Sequence, residues 1–126
     1  MSAVLLVEDE AQVAEMIAEA LADAGFDVIT ALNDKAAYAA LEDGAEGFAA
    51  LVADINLGFG TTGFDVAREA RRRNAALKVI YITGYAAHVD RFGVEDGVIV
   101  PKPFNAAELA ARVAALVREA EAGGPD

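Results

Sequence analysis

Five residues that could do chemistry together lie far apart along the chain. Glu8 and Asp9 follow the apolar run AVLLV, Asp54 follows FAALVA, Thr83 closes KVIYIT, and Lys102 stands between two prolines. Carboxylates do not gather without compensation: two about 4 Å apart repel by roughly 4 kcal/mol at an effective dielectric near 20. A hard cation with room for water removes that cost, and Mg²⁺ prefers such oxygen ligands. Beside it, Asp54 could act as a nucleophile toward a phosphoryl group, with Lys102 and the Thr83 hydroxyl meeting charge on the phosphoryl oxygens. Each residue alone also has a plainer reading. An acidic pair after a strand suits a helix N-terminus, an Asp caps turns, and a loop lysine is ordinarily solvated.

A second pattern competes for attention. Gly58, Gly60 and Gly63 spell G-x-G-x-x-G between a strand-like run and a helix-like segment, the context of a dinucleotide-binding turn. The details do not fit. Such a turn puts its first glycine directly after the strand, whereas Asp54-Ile55-Asn56-Leu57 intervene, and an acid facing the pyrophosphate would repel it. The acidic ribose partner about 20 residues on is replaced by Tyr81-Ile82-Thr83-Gly84. A flavin phosphate loop after the first strand would meet Glu8-Asp9-Glu10. A haloacid-dehalogenase-type phosphatase needs a second acid two residues after its nucleophile, and Asp9 is followed there by Ala11. The glycines read either as flexibility beside Asp54 or as a simple turn and helix start.

The elements that must position these residues alternate. AVLLV (3–7) fits a strand buried on both faces. Val13, Met16, Ile17, Ala20, Leu21 and Ala24 recur at helical spacing from Ala11, and Gly25 ends that helix. DVITA (27–31) is a second strand. Asn33 and Asp34 can cap a helix carrying Ala37, Tyr38 and Leu41 that stops near Gly44. FAALVA (48–53) is a third strand by position, although its alanines would equally suit a helix. A helix from about Gly63 to Asn74 turns Phe64, Val66, Ala67 and Ala70 inward. KVIYIT (78–83) and GVIV (97–100) are the fourth and fifth strands. The closing helix, 105–122, carries Leu109, Val113 and Leu116 on one stripe. Residues 84–96 make the weakest helix, short and interrupted by Gly93. Five strands with helices between them predict an α/β domain: a doubly wound five-stranded parallel sheet with a short or irregular fourth helix. Sites in such sheets lie outside the carboxyl ends of the strands. The five chemical residues stand at those ends.

Composition bounds the rest. A chain of 126 residues, 56% apolar, supports one core. Its net charge of −11 argues against non-specific nucleic-acid or anionic-membrane binding. The absence of cysteine fits a reducing compartment. No apolar run approaches the ~20 residues of a membrane span, and no signal peptide precedes the first strand.

Taken together, Glu8-Asp9, Asp54, Thr83 and Lys102-Pro103-Phe104 resemble the receiver domains of two-component response regulators, over essentially the full chain. That resemblance implies a flavodoxin-like (βα)5 fold. It also implies a Mg²⁺ (or Mn²⁺) ion held by Asp9, Asp54 and the Asn56 backbone carbonyl, with Glu8 acting through water. Asp54 would be the phosphoacceptor, Thr83 and Lys102 would contact the phosphoryl group, and Asn56 and Tyr85 would tune its lifetime. The expected donor is a sensor histidine kinase or phosphotransfer protein, docking around Gln12, Val13, Met16, Phe104 and Asn105, of which the apolar ones could equally be core. The protein would catalyse only its own phosphorylation and dephosphorylation, in the cytoplasm. The receiver is expected to span 1–122 with a disordered tail at 123–126. On that expectation no DNA-binding domain would follow, and output would pass through protein contacts or phosphate competition. A phosphorylation-independent pseudo-receiver, or a receiver cut from a longer regulator or hybrid kinase, are the alternatives. Three features depart from the family pattern. Gly58 stands where proline is common, in a loop about one residue longer than the family's. Ile99 replaces the switch aromatic, and the span from Thr83 to Lys102 is short. YITGY with a weak fourth helix is similar to a stand-alone Phe-Ala-Thr-Gly-type subgroup associated with HWE or HisKA2 kinases. The switch is then expected to work through 84–97.

Overall fold

The computed structural model describes residues 2–57, 62–84 and 97–122. The expected helix within 84–96 and the tail at 123–126 fall largely or wholly outside these residues. Five strands run parallel: β1 (Ala3–Val7), β2 (Asp27–Ala31), β3 (Phe48–Asp54), β4 (Lys78–Thr83) and β5 (Val98–Pro101). Their order across the sheet is β2-β1-β3-β4-β5. The α-helices among the described residues are α1 (Ala11–Asp23), α2 (Asp34–Gly44), α3 (Gly63–Arg73) and α4 (Ala106–Ala122).

The continuous apolar runs have the physical cause expected of them. β1 and β3 lie in the sheet interior and are covered on both faces, so Val4, Leu5, Leu6 and Val7 are all fully buried. Alternate residues serve two cores. Val4, Leu6, Ala50, Val52, Ile80 and Ile82 meet Ile17 and Leu21 of α1 and Leu109 and Val113 of α4. Leu5, Val7, Leu51, Ala53, Val79 and Tyr81 meet Leu41 of α2 and Val66, Ala67 and Ala70 of α3. Burying each Leu or Ile side chain contributes about 1.5–3 kcal/mol. The sheet is thus doubly wound as alternation predicts, in the flavodoxin-like form that the resemblance implies.

Local signals end the helices. Gly25, at φ 100°, closes α1 in the left-handed region. The Asn33 side chain accepts from the Ala36 amide at 2.8 Å, capping α2. Two residues placed on the α1 stripe turn out differently. Ala14, Ile17 and Leu21 form its buried line, whereas Met16 is 47% exposed and Ala24 is also exposed. Periodicity gives a residue's angle around the axis but not how far neighbouring elements reach around it. Likewise β3 runs one residue further than expected, through Asp54, and β5 ends on Pro101.

Candidate functional site

The carboxyl ends of the strands are tied to each other before any side chain is considered. The Glu8 amide donates to the Ala31 carbonyl, the Ile55 amide to Ile82, and the Lys102 amide to Thr83, the last at 2.8 Å. Register places Asp54 opposite Ile82 and Thr83 opposite Pro101. Glu8, Asp54, Thr83 and Lys102 therefore meet at one edge because each directly ends or follows a hydrogen-bonded strand.

Their polar groups are unusually buried. Glu8 is 0% exposed, Asp54 4% and Thr83 2%. Asp54 Oδ1 accepts from the Asn56 amide at 2.9 Å, and Asp54 Oδ2 accepts from Lys102 Nζ at 3.0 Å. Lys102 Nζ also lies 3.7 Å from Glu8 Oε2 and 3.8 Å from Glu10 Oε1. One ammonium thus stands among three carboxylates. Burial alone would lower the Lys102 ammonium. The hydrogen bond to Asp54, with the charges of Asp54, Glu8 and Glu10, outweighs burial and raises it above the ordinary lysine value. Glu8 is pushed from 4.5 up to about 8, first by burial and then by the neighbouring Asp54 charge.

Glu8 Oε1 accepts from the Glu10 amide at 3.2 Å, while its fully buried Oε2 has no hydrogen-bond partner among the described residues. An orphaned carboxylate oxygen beside a second buried carboxylate is an arrangement that a divalent cation satisfies. Glu8, Asp9 and Glu10 offer oxygens within 4.8 Å of one another, with Asp9 and Glu10 exposed at the rim. The donor set is wholly hard oxygen and fits Mg²⁺.

The sequence-predicted residues are therefore distributed as follows. Glu8, Asp54 and Lys102 are in mutual contact, Thr83 is adjoining, and Asp9 lies at the rim. Asn56 is exposed, and its amide rather than its side chain holds Asp54. Tyr85, Gly58 and Gly60 lie outside the described residues. Of the expected docking residues, Gln12, Met16 and Asn105 are exposed and Val13 and Phe104 half-buried. The Asn105 side chain also caps α4 through the Glu108 amide at 3.0 Å.

Gly63 answers the glycine motif. Its amide donates to the Ile55 carbonyl at 2.9 Å. A Cβ there would stand 3.0 Å from both the Asp54 carbonyl carbon and Ile55 Cα. Thr62 and Asp65 form a reciprocal capping box over the first turn of α3. The start of α3 is thus occupied by the chain's own groups and carries a carboxylate, which is no cradle for a pyrophosphate.

Sequence reasoning missed Glu10 as a member of the Lys102 cluster; the only signal was a third consecutive acid. It also missed the setting of Tyr81. This ring is buried, packs tilted against Phe64 with centroids 4.8 Å apart and planes at 52°, and lies where a Gly97 Cβ would come within 2.5 Å. It fills the β5 side of the sheet, near half-buried Ile99, which pairs with it.

A family model described as the response regulator receiver domain matches residues 4–114. The transcriptional regulatory protein TcrA of Mycobacterium tuberculosis is 36% identical over 118 residues, covering 91% of this chain and 46% of TcrA. The chain spans about half the length of the curated relatives it matches. Among solved structures, a response regulator receiver protein from Sinorhizobium medicae superimposes with a TM-score of 0.85 at 32% identity, covering 94% of this chain and 96% of that one. The Thermotoga maritima response regulator TrrA, in complex with Mg²⁺ and BeF, gives 0.73 at 27%, covering 92% and 99%.

Proposed function

The chain belongs to the response regulator receiver domain family, and from that premise we propose that it takes one phosphoryl group onto Asp54 from a histidine kinase or phosphotransfer protein. The observation that carries this reading is the Asp54–Lys102 pair: a 4% exposed carboxylate with an ammonium held 3.0 Å away. A buried carboxylate beside a fixed cation is a nucleophile whose product, an acyl phosphate, has a counter-charge in place.

An Asp54 oxygen forms a new bond to phosphorus as the P–N bond of a phosphohistidine breaks. The electron pair leaves with the imidazole nitrogen, whose ring is protonated at its other nitrogen. Lys102 then serves the phosphoryl oxygens, and the Thr83 hydroxyl supplies a further polar contact. The Asn56 amide fixes the Asp54 rotamer before attack. Glu8, Asp9, Asp54 and the Asn56 carbonyl would hold a Mg²⁺ or Mn²⁺ ion, whose charge would offset the carboxylates and the incoming oxygens. Water later cleaves the acyl phosphate to restore Asp54 and release inorganic phosphate. Asn56 and Tyr85 set that rate on this reading.

The receiver spans 1–122 in this account, with 123–126 as tail. It signals through protein contacts or acts as a phosphate sink, and the HWE or HisKA2 class supplies its kinase. This reading puts the protein in the cytoplasm. Borohydride reduction after phosphorylation tests the attachment site. An acyl phosphate on Asp54 is reduced to homoserine, which peptide mass mapping locates. A homoserine at position 54 supports the proposal, and modification elsewhere overturns it.

A further inference from the structure

Lys102 is shared among more groups than phosphoryl transfer requires. Asp54 is its nearest partner, and Asp54 and Glu8 are both buried. Glu10 is different: its carboxylate approaches Lys102 Nζ at 3.8 Å from the solvent side, with 66% of its side chain exposed. It is no structural prop. It stands at the N-cap of α1 but makes no capping hydrogen bond with its side chain. Its amide is fixed to Glu8 Oε1 at 3.2 Å, which holds its Cα at the mouth of the site. A negative group at the rim, drawing the one ammonium outward, must act on ligands of both signs.

Resting on the phosphoacceptor reading, we propose that Glu10 is a positioning residue that holds Lys102 at the mouth of the site and opposes entry of the dianionic phosphoryl group. Two effects follow, and they have opposite signs. Glu10 adds to the field that attracts a divalent cation. It also repels the incoming phosphoryl oxygens and competes with them for Lys102. A rim pair of this exposure is worth a modest factor in either direction, about two- to fivefold.

The test compares wild type, Glu10→Gln and Glu10→Asp. Mg²⁺ alone is titrated first, followed by NMR of the site amides. Beryllofluoride is then titrated at saturating Mg²⁺. Glu10→Gln is expected to bind Mg²⁺ about two- to fivefold more weakly and beryllofluoride more tightly by a similar factor. With acetyl phosphate at saturating Mg²⁺ the same variant should show a lower KM. Glu10→Asp should restore wild-type behaviour. The differences should shrink near 1 M salt, where the Debye length is only ~3 Å. Structural damage would weaken both ligands together, so opposite shifts support the proposal. Equal affinities for wild type and Glu10→Gln, or parallel losses, overturn it and leave the phosphoacceptor reading standing. A wild type that binds neither probe overturns both.

Discussion

Lys102 reaches over the end of β4 from the residue after β5 to donate a 3.0 Å hydrogen bond to Asp54 at the end of β3. The span works because the Lys102 amide is itself tied to the Thr83 carbonyl at 2.8 Å. The lysine is aimed by the sheet, so its loss should be felt both in chemistry and in stability.

Replacing Lys102 with Ala leaves Asp54 and Glu8 buried without their shared cation. Without divalent ions the variant should lose about 1–3 kcal/mol, the cost of stranding a buried polar group. Added Mg²⁺ should recover part of that loss. Urea titrations with and without Mg²⁺ measure both quantities. Equal stability of the two proteins in EDTA would refute the account of the pair.

Glu8 sets a pH dependence with a definite sign. Its folded value is raised from 4.5 to about 8, so the native state holds a proton that the unfolded chain releases. Stability of the metal-free protein should therefore fall as pH rises from 4.5 to 8, at up to about 1.4 kcal/mol per pH unit, and level off beyond. Glu8→Gln should remove this slope. Glu69 acts in another window: hydrogen bonds from Arg72 and Arg73 hold it near 2. Its contribution is present above 4.5 and lost as pH falls toward 2. The difference between wild-type and Glu8→Gln urea midpoints across pH isolates Glu8. A difference independent of pH would exclude a raised Glu8.

Gly63→Ala should be costly, because its Cβ meets backbone rather than a movable side chain. A loss of about 1–3 kcal/mol is expected from this overpacking. Gly47→Ala is the control, since nothing lies within 4 Å of that position; it should stay within about 0.5 kcal/mol. Thermal or urea unfolding compares them, and equal effects would contradict the close approach of α3 to Asp54.

The Tyr81 ring and Gly97 should be coupled. Gly97→Ala drives a Cβ into the ring and should destabilise the wild type by about 1–3 kcal/mol. In a Tyr81→Ala background, where the ring is gone and the Val79 carbonyl oxygen at 3.3 Å is the remaining tight neighbour, the same change should cost clearly less. A double-mutant cycle that sums additively would exclude the contact.

The strand and helix order was legible because buried parallel strands must read as unbroken apolar runs, and AVLLV and KVIYIT do. The site was legible for a related reason: in such a sheet the chemistry lies at strand ends, and strand ends can be found by where the apolar runs stop. What stayed hidden was set by side chains meeting across elements. Glu10 sits at a helix start, where an acid is ordinarily solvated, and only the reach of Lys102 brings it into the site. Tyr81 and Gly97 are 16 positions apart, and nothing local tells why the glycine is needed. Met16 has helical spacing but turns away from the packed side of α1. The capping box of Thr62 and Asp65 is readable in principle, as a Thr followed three residues later by an acid, but the glycines around it also match a dinucleotide-binding turn.

The central claim is that Asp54 is the phosphoacceptor, and intact mass measures it most directly. Wild type and Asp54→Asn are incubated with acetyl phosphate, each with Mg²⁺ and with EDTA. The account predicts the mass of one added phosphoryl group on the wild type with Mg²⁺, and none in the other three samples. Equal uptake by Asp54→Asn, or uptake undiminished by EDTA, would contradict it.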